Sequence, residues 1–193
     1  QFGKQNNTLF HEAVYWNSSH CMDLLKDMNN VDLSIKNSVG NTVLNLACLL
    51  GNYWLVNELY KCNQLNDFYT KNKRGEIPFH SAIRSGSFEL VQYLFELSNG
   101  SVIFNKNNDN HNSLHISILA PKKNLKIIKY LINAGDDPIN SDKYNKTIIL
   151  NLKNEPRTLI NAEIETLLIH TFFKLFNRDT NITTDDISSK EIL

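Results

Sequence analysis

Ile77-Pro78-Phe79-His80-Ser81-Ala82 decides the reading of this chain, because its pattern returns in four other places. The counterparts are Thr8-Leu9-Phe10-His11-Glu12-Ala13, Thr42-Val43-Leu44-Asn45-Leu46-Ala47, Asn112-Ser113-Leu114-His115-Ile116-Ser117 and Thr147-Ile148-Ile149-Leu150-Asn151-Leu152. Their fourth positions are residues 11, 45, 80, 115 and 150, so the spacings are 34, 35, 35 and 35. A fixed period of this length marks a chain built from repeated supersecondary units. In the third unit Pro78 suits the first turn of a helix, where a missing N–H costs nothing. Phe79, Ala82 and Ile83 then share one helical face. Gly86 stops the helix, because glycine accepts the left-handed conformation of a helix end. Phe88, Val91 and Leu94-Phe95 form the apolar stripe of a second helix. Helices of about ten residues are too short to persist alone in water. Each pair needs neighbours to bury its faces, and stability becomes a sum of unit and interface contributions.

The six-residue segments resemble the T-P-L-H-x-A signature of the ankyrin repeat, whose unit is about 33 residues. The residues after each segment agree with that unit. Gly51-Asn52-Tyr53-Trp54-Leu55-Val56-Asn57-Glu58-Leu59 and Gly86-Ser87-Phe88-Glu89-Leu90-Val91-Gln92-Tyr93-Leu94 each read as a turn and a second helix. Asn124 to Leu131 does the same in the fourth unit, and Ala134-Gly135-Asp136-Asp137-Pro138 is similar to the family's closing N-G-A-D-P. In the first unit Cys21-Met22 and Leu24-Leu25 hold the matching places more weakly, and Asn17 stands where glycine is usual. The fourth unit inserts two residues around Pro121-Lys122-Lys123. The resemblance implies an all-α solenoid of stacked helix–turn–helix units with projecting β-hairpin fingers. It implies a repeat domain over residues 1–176, with units near 5–35, 38–70, 73–106, 109–142 and 144–176, and a polar acidic tail over 177–193. The fifth unit has lost the histidine and alanine of the signature, as expected of a cap that shows one face to water.

Polar stretches separate the units: Ser34 to Asn41, Thr70 to Glu76, Asn105 to His111 and Ser141 to Lys146. Gly40 and Gly75 take the turn positions, with Asn110 and Asn145 in their stead later, and asparagine is the best substitute where φ is positive. These read as the fingers. Ile160, Ile164, Leu167 or Leu168, Phe172, Leu175 and Phe176 recur at helical spacing, which predicts one long terminal helix over the last open face.

Composition excludes several functions. There are 20 basic and 20 acidic residues, so no net charge draws the chain towards nucleic acid or an anionic membrane. No apolar run approaches the ~18–20 residues of a membrane span. Cys21, Cys48 and Cys62 are too few for a disulfide framework and form no CxxC pair, which fits free thiols in a reducing compartment, cytoplasm or nucleus. His11, His80 and His115 share one repeat position and so stack about 10 Å apart, too far to coordinate one metal. His20, His111 and His170 have no partners at metal spacing. No hydrolase, zincin, Walker or Rossmann pattern is present. The expectation is a chain with no catalytic residues, no metal, no cofactor and no small-molecule substrate.

The resemblance therefore implies an intracellular protein–protein interaction module in a regulatory or scaffold protein. It would bind another protein through a concave face of fingers and first-helix ends. The alternatives are a targeting segment of a larger enzyme or ubiquitin-ligase component, or a pathogen or viral protein that engages a host factor. A nucleic-acid role for the basic finger edge is disfavoured by the balanced charge and the lack of interleaved aromatics. The partner-facing candidates at the helix ends are Tyr15, Trp16, Leu49, Leu50, Arg84 and Leu119; those on or beside the fingers are Lys71, Lys73, Arg74, Lys106, His111 and Tyr144.

Overall fold

The structure is a computed structural model that describes residues 6–16, 32–61, 68–154, 156 and 158–180, the last four as backbone. The described elements are α1 (Leu9–Tyr15), α2 (Val43–Leu49), α3 (Tyr53–Lys61), α4 (Pro78–Ser85), α5 (Phe88–Leu97), a 3-10 turn (Ser101–Phe104), α6 (Ser113–Leu119), α7 (Leu125–Asn133), α8 (Ile148–Lys153) and α9 (Leu159–Thr180). An inner row of first helices packs in chain order, α1 on α2, α2 on α4, α4 on α6 and α6 on α8. An outer row places α5 against α7 and α7 against α9. The Cys21-Met22 and Leu24-Leu25 region, Asn17 and residues 181–193 lie outside the described residues.

The signature residues explain why each inner helix starts where it does. Thr8, Thr42, Asn112 and Thr147 are N-caps whose side-chain oxygens accept the backbone N–H three residues on, which satisfies a donor the helix leaves unpaired. The third unit has Ile77 there and no side-chain cap; Pro78 at the helix start is its substitute. Gly86 ends α4 with φ of 77°, as its sequence position predicts. Between the rows lies one continuous core in which Leu55, Ile77, Phe79, Ile83, Leu90, Leu94, Leu114, Ile127 and Leu131 are fully buried.

The histidines of the signature are structural ties. His11 is buried, its Nδ1 lies 2.8 Å from Thr8 Oγ1, and its Nε2 reaches the Asn41 carbonyl of the next unit at 2.9 Å. His80 Nε2 reaches the Asn105 carbonyl at 3.2 Å. With isoleucine in place of the capping hydroxyl, His80 Nδ1 is buried without a hydrogen bond.

The fingers differ from the expected β-hairpins. Among the described residues there are no strands; Asn7 is in an isolated bridge, and another joins Ser141 and Thr147. Each finger is a tight turn closed by one asparagine or aspartate. Asn37 Oδ1 accepts the amides of Val39 and Asn41, Asn72 Oδ1 those of Arg74 and Glu76, Asn107 Oδ1 those of Asp109 and His111, and Asp142 Oδ1 those of Tyr144 and Lys146. One backbone bond across each turn, Asn37 N–H to Asn41 C=O and its counterparts from Asn72, Asn107 and Asp142, completes the closure, so side-chain mimicry and a single bond stand in place of paired strands. Single backbone bonds then join each finger to the one before: Lys73 N–H to Val39 C=O at 3.1 Å, Asn108 to Arg74 at 3.0 Å and Lys143 to Asp109 at 2.9 Å. The positive-φ positions fall at Gly40, Gly75, Asn110 and Asn145, as the sequence predicts.

The inserted turn also has a partner. Asn124 caps α7 through Lys126 N–H and donates its Nδ2 to the Gly86 carbonyl at 2.9 Å. The end of the insertion is thereby tied to the turn of the preceding unit. Helix α9 is the predicted terminal helix, and it runs on to Thr180, past the expected start of the tail at 177. Its apolar stripe is longer than the core it covers: Ile164 and Leu168 are buried, whereas Ile160, Phe172 and Phe176 are exposed.

The packing makes two outcomes measurable. Gly75 and Gly135 both have positive φ, 74° and 90°, but a Cβ at 75 would lie 2.7 Å from the Asn108 backbone nitrogen, and one at 135 meets nothing within 4 Å. Gly75→Ala should therefore lose about 2–3 kcal/mol and Gly135→Ala about 1 kcal/mol, measured by urea denaturation; equal losses would contradict the finger-to-finger contact. The second outcome concerns pH. Burial lowers His80 and His115 to about 4 and also lowers His11, so the unfolded chain takes up protons that these rings refuse below pH 6.5. Burial pushes the Asp136 carboxyl the other way, to about 7, so that one group favours the folded state as pH falls. Three imidazoles against one carboxyl leave stability falling between pH 6.5 and 5, at about 1.4 kcal/mol per pH unit for each net proton. Thermal melts at pH 7 and pH 5 should show the lower Tm at pH 5, and a higher one there would refute the assignment.

Candidate functional site

The inner-helix ends and the finger turns form one surface, and the stack decides which of its side chains face solvent. At the N-terminal end the surface is apolar. Trp16 is 72% exposed and stands edge-on to exposed Tyr15 at 5.3 Å, with its indole N–H donated to Glu12 Oε2 at 3.1 Å. Leu49 at the end of α2 and Leu50, which caps it, are exposed in the same register. Exposed groups of this size, side by side, are what an interface patch presents. The patch does not continue into the fourth unit as expected: Leu119 is half-buried and Ala120 is buried, because α8 packs along α6.

Arg84 is also not the exposed anchor the sequence predicts. Its guanidinium makes a forked pair with Glu76, with Nη2 to Oε1 at 2.6 Å and Nε to both oxygens at 3.0 and 3.2 Å. The Glu76 side chain is 3% exposed and that of Arg84 18%, so this is a tie between the second finger and the helix that follows it.

The basic finger residues divide into two classes. Lys36 Nζ donates to the Lys71 carbonyl at 2.9 Å, Lys71 Nζ to the Lys106 carbonyl at 3.0 Å, and Lys106 Nζ to Asn140 Oδ1. These three lysines recur every 35 residues and bridge successive units. Lys71 and Lys106 are not buried, yet their ammonium groups are spent on the stack. Lys73 and Arg74 stand exposed at the tip of the second finger. On the fourth finger Lys143 pairs with Asp109 and lies 5.0 Å from the Tyr144 ring, which is exposed. That pair raises the Lys143 ammonium and lowers the Asp109 carboxyl from their ordinary values.

His111 stacks on the buried His115 ring at 5.2 Å and 14°, with its Nε2 3.7 Å from Asp142 Oδ2. Its side chain is mostly covered, and it supports the fourth finger more than it faces solvent. Among the described residues no group of three or more His, Cys, Asp or Glu is placed to hold a metal ion. Cys48 is a buried free thiol whose burial pushes its pKa up, so it stays protonated. No described helix is long and apolar enough to cross a membrane.

Exposed groups outside the sequence-predicted set include Leu9 at the start of α1, Val39 on the first finger, and Tyr69, Phe104 and Ile139. The last three also recur every 35 residues, a signal that a search restricted to the signature positions does not reach.

Comparison with known proteins places this geometry. Residues 61–142 match the family model for ankyrin repeats, in 3 copies. The chain is 33% identical over 84 residues, 43% of its length, to Alpha-latrotoxin-Lg1a of Latrodectus geometricus. It is 26% identical over a 221-residue alignment, 99% of its length, to the NAD-dependent deacetylase sir2B of Dictyostelium discoideum. It spans only 6% and 27% of the lengths of those two proteins.

The division of basic residues is testable by stability alone. Arg84→Ala leaves the buried Glu76 carboxylate unpaired and should lose about 3 kcal/mol, whereas Arg74→Ala at the exposed tip should change stability by less than about 0.5 kcal/mol. Urea denaturation of the two variants reads this directly, and equal losses would mean that the Glu76–Arg84 fork does not support the fold.

Proposed function

We propose that this chain, whose residues 61–142 match ankyrin repeats, a fold that generally serves protein–protein interaction, binds a partner protein through the apolar patch of Tyr15, Trp16, Leu49 and Leu50. Lys73 and Arg74 at the neighbouring finger tip and Tyr144 further along extend that surface. The observation that carries the reading is the exposure of two aromatic rings and two leucines in one register, on helices whose other apolar groups are mostly buried. Aromatic side chains of low conformational freedom are effective anchors, and a rigid stack loses little entropy when it binds. Basic tips beside the patch would favour a partner segment with acidic residues flanking an apolar centre. We read the chain as acting inside the cell, in a regulatory or scaffolding role, without cofactor, small-molecule substrate, nucleic acid or membrane contact. We also read it as non-catalytic, since its signature histidines are tied to backbone and capping groups.

A second reading has one observation in its favour. The alignment with the deacetylase sir2B covers nearly all of this chain but about a quarter of that protein. The repeats would then be the targeting segment of a larger enzyme, with the chemistry elsewhere. The two readings share the same binding surface and differ in what the surface delivers.

The test is capture of partners from a lysate by the wild-type chain and by a Trp16→Ala/Leu50→Glu variant with an unchanged melting curve. A partner retained by the wild type and lost at least ~10-fold by the variant is the expected result, as for removal of interface anchors. Equal retention by both chains would overturn the assignment of the patch.

A further inference from the structure

The outer row carries a second surface of different chemistry. Tyr93 of α5 inserts between Tyr53 and Tyr60 of α3, at ring distances of 5.1 and 6.3 Å, and its hydroxyl donates to Asn57 Oδ1 at 3.0 Å. The same arrangement recurs one unit on, where Tyr130 of α7 inserts between Phe88 and Phe95 at 5.7 and 5.4 Å. The insertion is thus part of how outer helices pack. The charges around it are not shared.

Beside Tyr93 the two helices leave a groove of about 550 Å³, lined by Tyr53, Ser87, Glu89, Gln92, Tyr93 and Glu96. Glu89, Gln92 and Glu96 fall at helical spacing along one face of α5. Gln92 Nε2 donates to Glu96 Oε1 at 3.0 Å and holds that carboxylate in place. No lysine or arginine lines the groove. At the corresponding positions beside Tyr130 the chain has Lys126, Lys129 and Asn133. One packing motif is therefore edged by two carboxylates in the third unit and by two ammonium groups in the fourth. Packing alone does not require that reversal.

We propose that the groove between α3 and α5 is a recognition site for a lysine or arginine side chain of a partner polypeptide. Tyr53 is 42% exposed, so part of its ring meets solvent beside Tyr93. A cation over a tyrosine ring is attracted by the negative face of its π-system, and carboxylates on the rim add charge-assisted hydrogen bonds. The rings of Tyr53 and Tyr93 are set by packing before any ligand arrives, so little order has to be created on binding. The site lies on the outer helices, apart from the Trp16 patch on the inner helix ends, and does not depend on it.

The test is a nuclear magnetic resonance titration of the isotope-labelled chain with a capped alternating Arg-Gly peptide, and with a Glu-Gly peptide as the opposite charge. Saturable shifts at Tyr53 and over residues 87–96 with the Arg-Gly peptide alone are expected. Glu89→Gln/Glu96→Gln should weaken that binding about 10-fold, and Tyr53→Leu, which keeps apolar bulk without the aromatic face, should also weaken it. Lys126→Gln should leave it unchanged. No shifts at millimolar peptide, shifts confined to the fingers, or equal affinity in the Glu89/Glu96 variant would each overturn the proposal.

Discussion

A helix of six to ten residues cannot hold its shape in water, and eight of the described helices are of that length. Everything else in this protein answers that constraint. Apolar stripes too short to support themselves are buried against the next unit, so that Phe79, Leu90 and Leu114 stabilise helices other than their own. Polar side chains follow the same logic. His11 reaches a carbonyl of the following unit, His80 one at the far end of its own, and Lys36, Lys71 and Lys106 bridge units along the finger edge. The stack is held by interfaces, and a unit in isolation would lose most of what keeps it folded.

That economy limits which residues can serve a partner. A charged side chain on the finger edge is engaged first by the neighbouring unit, and only what remains can act outward. Glu76 and Arg84 show the same economy within one unit, since burial of the carboxylate makes its counter-ion indispensable. The Tyr15–Trp16 pair and Leu49–Leu50 show the opposite case. They are large, apolar and exposed, and they lie where a regular signature asks for no residue in particular. A binding surface of this kind is built from positions the fold leaves free.

The fold is legible in the sequence because it repeats. Five segments at a near-constant period, with proline at one helix start and glycine at its end, locate the inner helices and the turns between them. Asn110 and Asn145 read as left-handed positions from their register with Gly40 and Gly75, and they are. The closure of each finger by Asn37, Asn72, Asn107 or Asp142 is equally periodic. It stays hidden because a turn made by a side chain looks in sequence like any polar loop. The site is less legible for a physical reason. Sequence gives the type of a side chain and the face of its helix, but not whether a neighbour 35 residues away has already claimed it. Lys71 and Lys106 are claimed by the next unit, and Arg84 and His111 by Glu76 and His115 of their own, pairings that the folded chain sets. Trp16, Leu49 and Leu50 read correctly as exposed because the stack leaves them uncovered.

The central claim is that the fingers form one register-locked row, joined by single backbone bonds and set by the stacking of the helices behind them. Native-state hydrogen exchange at the amides of Lys73, Asn108 and Lys143 tests it most directly, since each donates to the preceding finger while lying in a loop. The row predicts that all three exchange at least ~10²-fold more slowly than unprotected amides, with Asn108 in the middle the slowest. Exchange of these three at the rate of an unstructured loop would show that the fingers move independently, and the account of a continuous row would fail.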